Sequence, residues 1–134
     1  MTYGKNVAAY RETQVMRSKE QIVPLLYHHL LVNLRKAAAQ IQAKDIEGKA
    51  ESFNKAYEIV YELMETLDFE AGGELAERLA SLYAFWLAQL RGISRNLDTA
   101  TLEKVIKMVG ELHESWVEAA KSVESSGGER GDVA

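Results

Sequence analysis

Between Leu67 and Leu75 one apolar pattern stops and another starts, and the residues between them include two consecutive glycines, Gly72 and Gly73. Glycine reaches backbone angles that other residues avoid, so the spacing predicts a tight reversal over 68–73. Beyond it Leu75, Leu79, Leu82, Tyr83, Trp86, Leu90 and Ile93 recur at helical spacing. Two helices joined by so short a turn lie antiparallel. The rest of the chain must then cover their apolar faces.

The same period recurs elsewhere. Plotted at about 100° per residue, Val23, Leu26, Tyr27, Leu30, Leu31, Leu34, Ala37, Ala38 and Ile41 share one broad face. A second helix buries Ile46, Ala50, Phe53, Ala56, Tyr57, Val60, Met64 and Leu67, with Glu47, Glu51, Asn54, Glu58, Glu62 and Glu65 on its solvated side. The last carries Leu102, Val105, Val109, Leu112 and Trp116 inward. Ser18 to Gln21 fits a capping box for the first helix, Asp45 caps the second with its carboxylate toward Gly48, and Asp98 caps the fourth. Leu97 and Leu102 are spaced for a hydrophobic staple. Pro24 opposes the first helix, because it removes one hydrogen bond and presses on the carbonyl of Glu20, at about 3 kcal/mol in a helix interior. It predicts a loosened first turn with regular helix from Val23.

No segment alternates apolar and polar residues as a half-buried strand would. The expected fold class is therefore all-α, an antiparallel up-down four-helix bundle, because connections this short leave no room for crossovers. Expected helices cover 18–44, 46–67, 73–96 and 99–122. Residues 1–17, with Tyr3, Val7, Tyr10 and Val15, form an arm too apolar to be free and too short to be a helix alone in water. Residues 123–134, rich in Ser, Gly and charge, read as a disordered tail.

Several functions are disfavoured. A formal net charge of −4 argues against a general nucleic-acid binder, which needs a basic face for phosphates. No apolar run approaches the roughly 20 residues of a membrane span, and the first residues lack a signal peptide's apolar stretch. The absence of cysteine excludes disulfides and thiolate metal sites. His28 and His29 point about 100° apart on a helix and cannot chelate one metal from that segment. The residues three before His28, His29 and His113 are Leu25, Leu26 and Gly110, so the Glu-x-x-His pairs of a di-iron bundle are missing. No metal, no cofactor and no catalytic constellation is expected. Gly72-Gly73 without a preceding strand or a Walker lysine reads as a turn, not a phosphate loop.

What remains is surplus apolar surface. Leu25, Val32 and Ala39 fall seven residues apart opposite the core face of the first helix, Phe85 lies opposite that of the third, and Met108 is surplus on the fourth. Aligned outward apolar residues suggest a groove that receives something. Two readings stay open: a bound partner, or permanent cover by the arm or by a second copy.

Beyond these patterns, Tyr10-Arg11-Glu12-Thr13-Gln14-Val15, Leu25-Leu26-Tyr27, Asp45-Ile46, the block Leu67-Asp68-Phe69-Glu70-Ala71-Gly72-Gly73-Glu74-Leu75-Ala76, Leu82-Tyr83 and Trp116 follow one another in an order and spacing by which the chain resembles the flagellar secretion chaperone family FliS. The chain departs from the family pattern at His28-His29, where Asp-Gly is usual, and at Ser18-Lys19, where Ser-Pro is common. The resemblance implies a cytoplasmic four-helix bundle without enzymatic activity. It implies a chaperone that wraps the disordered C-terminal region of flagellin before export, with the flagellar export apparatus as a further partner. The protein would be a monomer or a weak homodimer. The client-binding residues expected on this basis are Tyr10 from the arm, Leu25, His28 and Val32 from the first helix, and Phe85 from the third. Leu25, Val32 and Phe85 would receive client side chains, with His28 at the polar rim. The arm before Ser18 would cover part of the apolar surface until a client displaces it. The alternative is a bundle that self-associates through the same stripes, or a chaperone-like module with another client.

Overall fold

A computed structural model describes residues 19–130 of the chain, with side chains at 21–122. The arm with Tyr10, the Ser18 capping box and residues 131–134 lie outside the described residues. Four helices follow in order: α1 (Lys19–Gln42), α2 (Ile46–Glu65), α3 (Phe69–Asn96) and α4 (Thr99–Arg130). The architecture is all-α. Helix α1 packs on α2 and α4, and α3 packs on the same two, so α1 and α3 lie diagonally across the core. Along α1, Tyr27 stands 6.2 Å from Trp116, His28 6.1 Å from His113, and Leu31 beside Gly110. Rising numbers on α1 meet falling numbers on α4, so the two run antiparallel.

Capping follows side-chain chemistry. The Asp45 carboxylate accepts from the Gly48 N–H at 3.0 Å, and Asp98 from the Thr101 N–H at 3.1 Å. Each satisfies a donor that the first turn leaves without a partner. At Gly48 an added Cβ would lie 2.3 Å from the Asp45 carboxylate oxygen, so glycine leaves room for the cap. Leu97 closes α3 in the left-handed region (φ 59°) and is half exposed, whereas Leu102 is fully buried; the spacing suited to a staple does not bury Leu97.

Three boundaries differ from expectation. Helix α1 passes through Pro24 without interruption, starting at Lys19 rather than settling at Val23. The lost hydrogen bond is to the Glu20 carbonyl, one turn from the helix start, where the proline removes only one rung. The reversal between α2 and α3 is confined to Thr66, Leu67 and Asp68; Asp68 caps a helical turn from Phe69 by accepting from the N–H groups of Glu70 and Ala71. Gly73 then breaks that helix with φ 50° and ψ −124°, a conformation open to glycine. Its role is a kink inside α3, not the reversal itself. Finally, α4 continues to Arg130, past the point where Ser and Gly argued for disorder. An established helix grows by one hydrogen bond per added residue, which weakens the penalty those residues impose.

The core holds Tyr27, Tyr83, Trp86, Phe53, Leu30, Leu34, Ile59, Leu63 and Leu90 among its fully buried side chains. Tyr27 of α1 meets Tyr83 and Trp86 of α3 edge-on across the diagonal, at centroid distances of 6.4 and 6.0 Å. The two tyrosine hydroxyls hydrogen-bond at 2.8 Å inside the core. Burial pushes both phenols above their ordinary value. The α2–α3 seam is more polar: Lys49 Nζ donates to the Ser94 carbonyl, and Arg91 donates to Tyr61 while its guanidinium lies over Tyr57. Between α1 and α2, the Gln40 amide and the Ser52 hydroxyl stand 2.6 Å apart. Ile46 and Leu75, expected in the core, are 74% and 60% exposed. Ile46 is the first residue of α2, and Leu75 follows the interruption of α3 at Gly73, in the wall of an open cavity.

Candidate interaction surface

The outward residues of α1 and α3 follow from the core geometry. Because Tyr27 faces Tyr83 and Trp86, the backs of α1 and α3 point away from each other. Val32 lies five residues beyond Tyr27, and Phe85 lies between Tyr83 and Trp86, so each emerges on the outer side of its helix. Val32 is 39% exposed and Phe85 46% exposed. Leu25 is half-buried, and His28 and Ala39 are exposed. The structure thus groups Leu25, His28 and Val32 on one side of the bundle and sets Phe85 on the other. It does not join them in a single groove. Met108, counted as surplus, is half-buried and packs against the core.

The residues around His28 form a cluster that adjacency alone does not reveal. His28 lies 5.6 Å from the ring of His29 and 6.1 Å from that of His113 on α4. Partial burial, then the nearby His28, holds both His29 and His113 below the ordinary histidine range; Arg35 lowers His113 further, and Glu114 opposes that shift. Among the described residues, no group of three or more His, Cys, Asp or Glu is arranged to hold a metal.

A second feature escaped the sequence. At the end of the bundle where α1 begins, a cavity of about 440 Å³ opens between Val23, Leu67, Ala71, Leu75, Leu79, Tyr83 and Trp116, with Thr66, Asp68, Gly72 and Ala76 completing its wall. Its lining is mostly apolar, and exposed Leu75 stands in that wall. The Gly73 kink sets the preceding turn, with Ala71 and Gly72, against this opening. The signal was the two glycines, which read as a reversal rather than as an interruption that leaves a pocket. Among the described residues, no helix is long and apolar enough to cross a membrane.

Comparison with known proteins gives these surfaces a context. A family profile described as "Flagellar protein FliS" matches residues 3–123. The flagellar secretion chaperone FliS of Campylobacter jejuni is 32% identical over 113 residues, covering 82% of this chain and 87% of that protein. The flagellar secretion chaperone FliS of Escherichia coli K12 is 29% identical over 128 residues, covering 91% and 94%. That of Vibrio cholerae is 28% identical over 116 residues, covering 83% and 85%. A profile match across nearly the whole chain, together with relatives aligned over most of their own length, means that this chain belongs to the FliS family of flagellar proteins.

Proposed function

We propose that this protein is a flagellar secretion chaperone that binds the disordered C-terminal region of flagellin and keeps it from polymerising before export. One observation carries the reading: exposed apolar side chains stand on two opposite outer faces, at Val32 beside half-buried Leu25 on α1 and at Phe85 on α3. A disordered client loses conformational entropy when it is ordered, so its binding needs apolar contact over a long path. Separated patches on a stable bundle provide that path, with His28 at the rim of the first. The names of the relatives support the export role, and the cytoplasm is where a chaperone acting before export would work.

Calorimetric titration with the C-terminal region of flagellin from the same organism tests the reading. Binding at concentrations of tens of micromolar or below (about −6 kcal/mol or stronger), weakened by Val32→Glu and by Phe85→Asp, is the expected result. No heat in that range rejects it. Light scattering separates it from self-association: a dilution-resistant dimer that ignores flagellin and becomes monomeric with Val32→Glu would assign the same stripe to a second copy.

A further inference from the structure

From Gln21 onward the outer face of α1 carries basic but no acidic side chains, as does the stretch of α3 from Arg78 to Leu97. From Gln21 to Lys44 there is no Asp or Glu, although the protein carries a net charge of −4. In contrast, α2 alone carries Glu47, Glu51, Glu58, Glu62 and Glu65. Along the back of α1 the residues Leu25, His28, Val32, Arg35 or Lys36, and Ala39 succeed one another at about one helical turn, forming a straight stripe about 20 Å long. Arg35, Lys36 and His28 are exposed, and Val32 stands 39% exposed between them. The stripe is therefore apolar along its centre and cationic along its edges.

We infer that this face receives an amphipathic helix whose apolar stripe is flanked by acidic side chains. The inference deepens the client-binding reading and rests on it for the kind of partner. The client's apolar residues lie on Leu25, Val32 and Ala39, and its carboxylates meet Arg35 and Lys36 at one end and the imidazoles at the other. A lysine-flanked helix meets like charge at the same positions, so the face selects as well as binds. The imidazoles add a dependence on pH. His28 meets the rings of His29 from α1 and His113 from α4, Arg35 and Glu114 act on His113, and the Gln40–Ser52 hydrogen bond between α1 and α2 involves no titratable group. Acidification protonates His29 and His113, so the cluster becomes more cationic and the acidic partner binds more tightly.

Two designed helical peptides with one leucine stripe, flanked by Glu in one and by Lys in the other, test this with the full-length protein. Fluorescence anisotropy should give binding of the Glu peptide about five-fold tighter than the Lys peptide, from two exposed ion pairs. The preference should widen from pH 7.5 to pH 6, shrink with added salt, and reverse in R35E/K36E. Both positions are exposed, and an unchanged helical spectrum checks that the variant folds. Equal affinities, no binding of either peptide, or a preference retained in R35E/K36E overturns the inference. So does a dilution-resistant dimer of the free protein that R35E/K36E dissociates, because the face would then belong to a second copy. If flagellin binds but the protein does not discriminate between the peptides, only this inference fails. If flagellin does not bind, the chaperone reading fails with it.

Discussion

The Tyr27–Tyr83 hydroxyl pair offers a direct test of how the bundle core is held. The two oxygens lie 2.8 Å apart, and the residues are 0% and 1% exposed. Replacing Tyr27 by Phe removes one partner and leaves the Tyr83 hydroxyl buried in a largely apolar site. A buried polar group left without a partner costs about 1–3 kcal/mol. Replacing both removes the need for a partner, and the rings still meet edge to edge, so Tyr27→Phe/Tyr83→Phe should cost less than the sum of the single changes by a similar amount. A described fold of this length unfolds with an entropy near 0.23 kcal/mol per degree, so each kcal/mol moves the midpoint by about 4 °C. Thermal and urea unfolding of the four proteins completes the cycle. Single variants should melt about 4–12 °C below the parent, with the double variant above the value that additivity gives. Additive costs below about 0.5 kcal/mol would refute the reasoning. They would mean that water in the adjacent cavity, which Tyr83 lines, hydrates whichever hydroxyl remains.

Further outcomes come from the backbone, the histidines and the arm. Gly73→Ala should destabilise by about 1–3 kcal/mol because φ 50°, ψ −124° is strained for an L residue, whereas Gly92→Ala, in open space within α3, should stabilise by about 0.5–1 kcal/mol; urea midpoints shifting in the same direction would refute this pairing. His29 and His113 titrate below their ordinary value of 6.5, so the folded state binds fewer protons than the unfolded one. Their contribution is therefore complete above pH 6.5 and declines as the pH falls through it, so the melting midpoint should drop between pH 7.5 and 5.5, less steeply in His113→Gln; an equal slope in the variant would refute the assignment. If residues 1–17 cover apolar surface in the free protein, their amides should exchange faster once flagellin is bound while α2 to α4 exchange no faster, and increased protection of residues 3–16 would reject that competition.

Helical periodicity carries angle but not height, and that limit decides which residues were legible in the sequence. The α1 face was readable because nine apolar residues recur through its middle, and from Val23 to Ala37 the seven inward residues are buried. Ile46 has the right angle but is the first residue of α2, and Leu75 follows the Gly73 kink in the wall of an open cavity, so both stay exposed. Ile59, Leu63 and Leu87 were missed for the opposite reason: at mid-bundle a helix is enclosed over a wider arc than one narrow stripe, so these flanking positions are buried too. The caps at Asp45 and Asp98 were legible because their chemistry is local. The His28–His113 contact was not, because no spacing rule links residues 85 positions apart until the antiparallel register of α1 and α4 is known.

That register also sets a length requirement on any client that uses both outer patches. Helices with side chains are about 10–12 Å across, so the diagonal from the back of α1 to the back of α3 is roughly 20–24 Å and the path around half the bundle roughly 35 Å. An extended chain advances about 3.3 Å per residue and therefore needs about eleven residues merely to pass from Val32 to Phe85. A compact ligand cannot touch both. Nested fragments of the flagellin C-terminal region should then fall into two classes. Short fragments should lose affinity with Val32→Glu or with Phe85→Asp, but not with both. Fragments long enough to span the gap should lose affinity with either, and their affinity should exceed that of the short ones, because the second contact becomes intramolecular once the first is made. Calorimetry across such a series with the parent and both variants supplies the measurement. A fragment of fewer than about ten residues that is weakened equally by both substitutions would refute this geometry, since one end could not have reached the other face of the bundle.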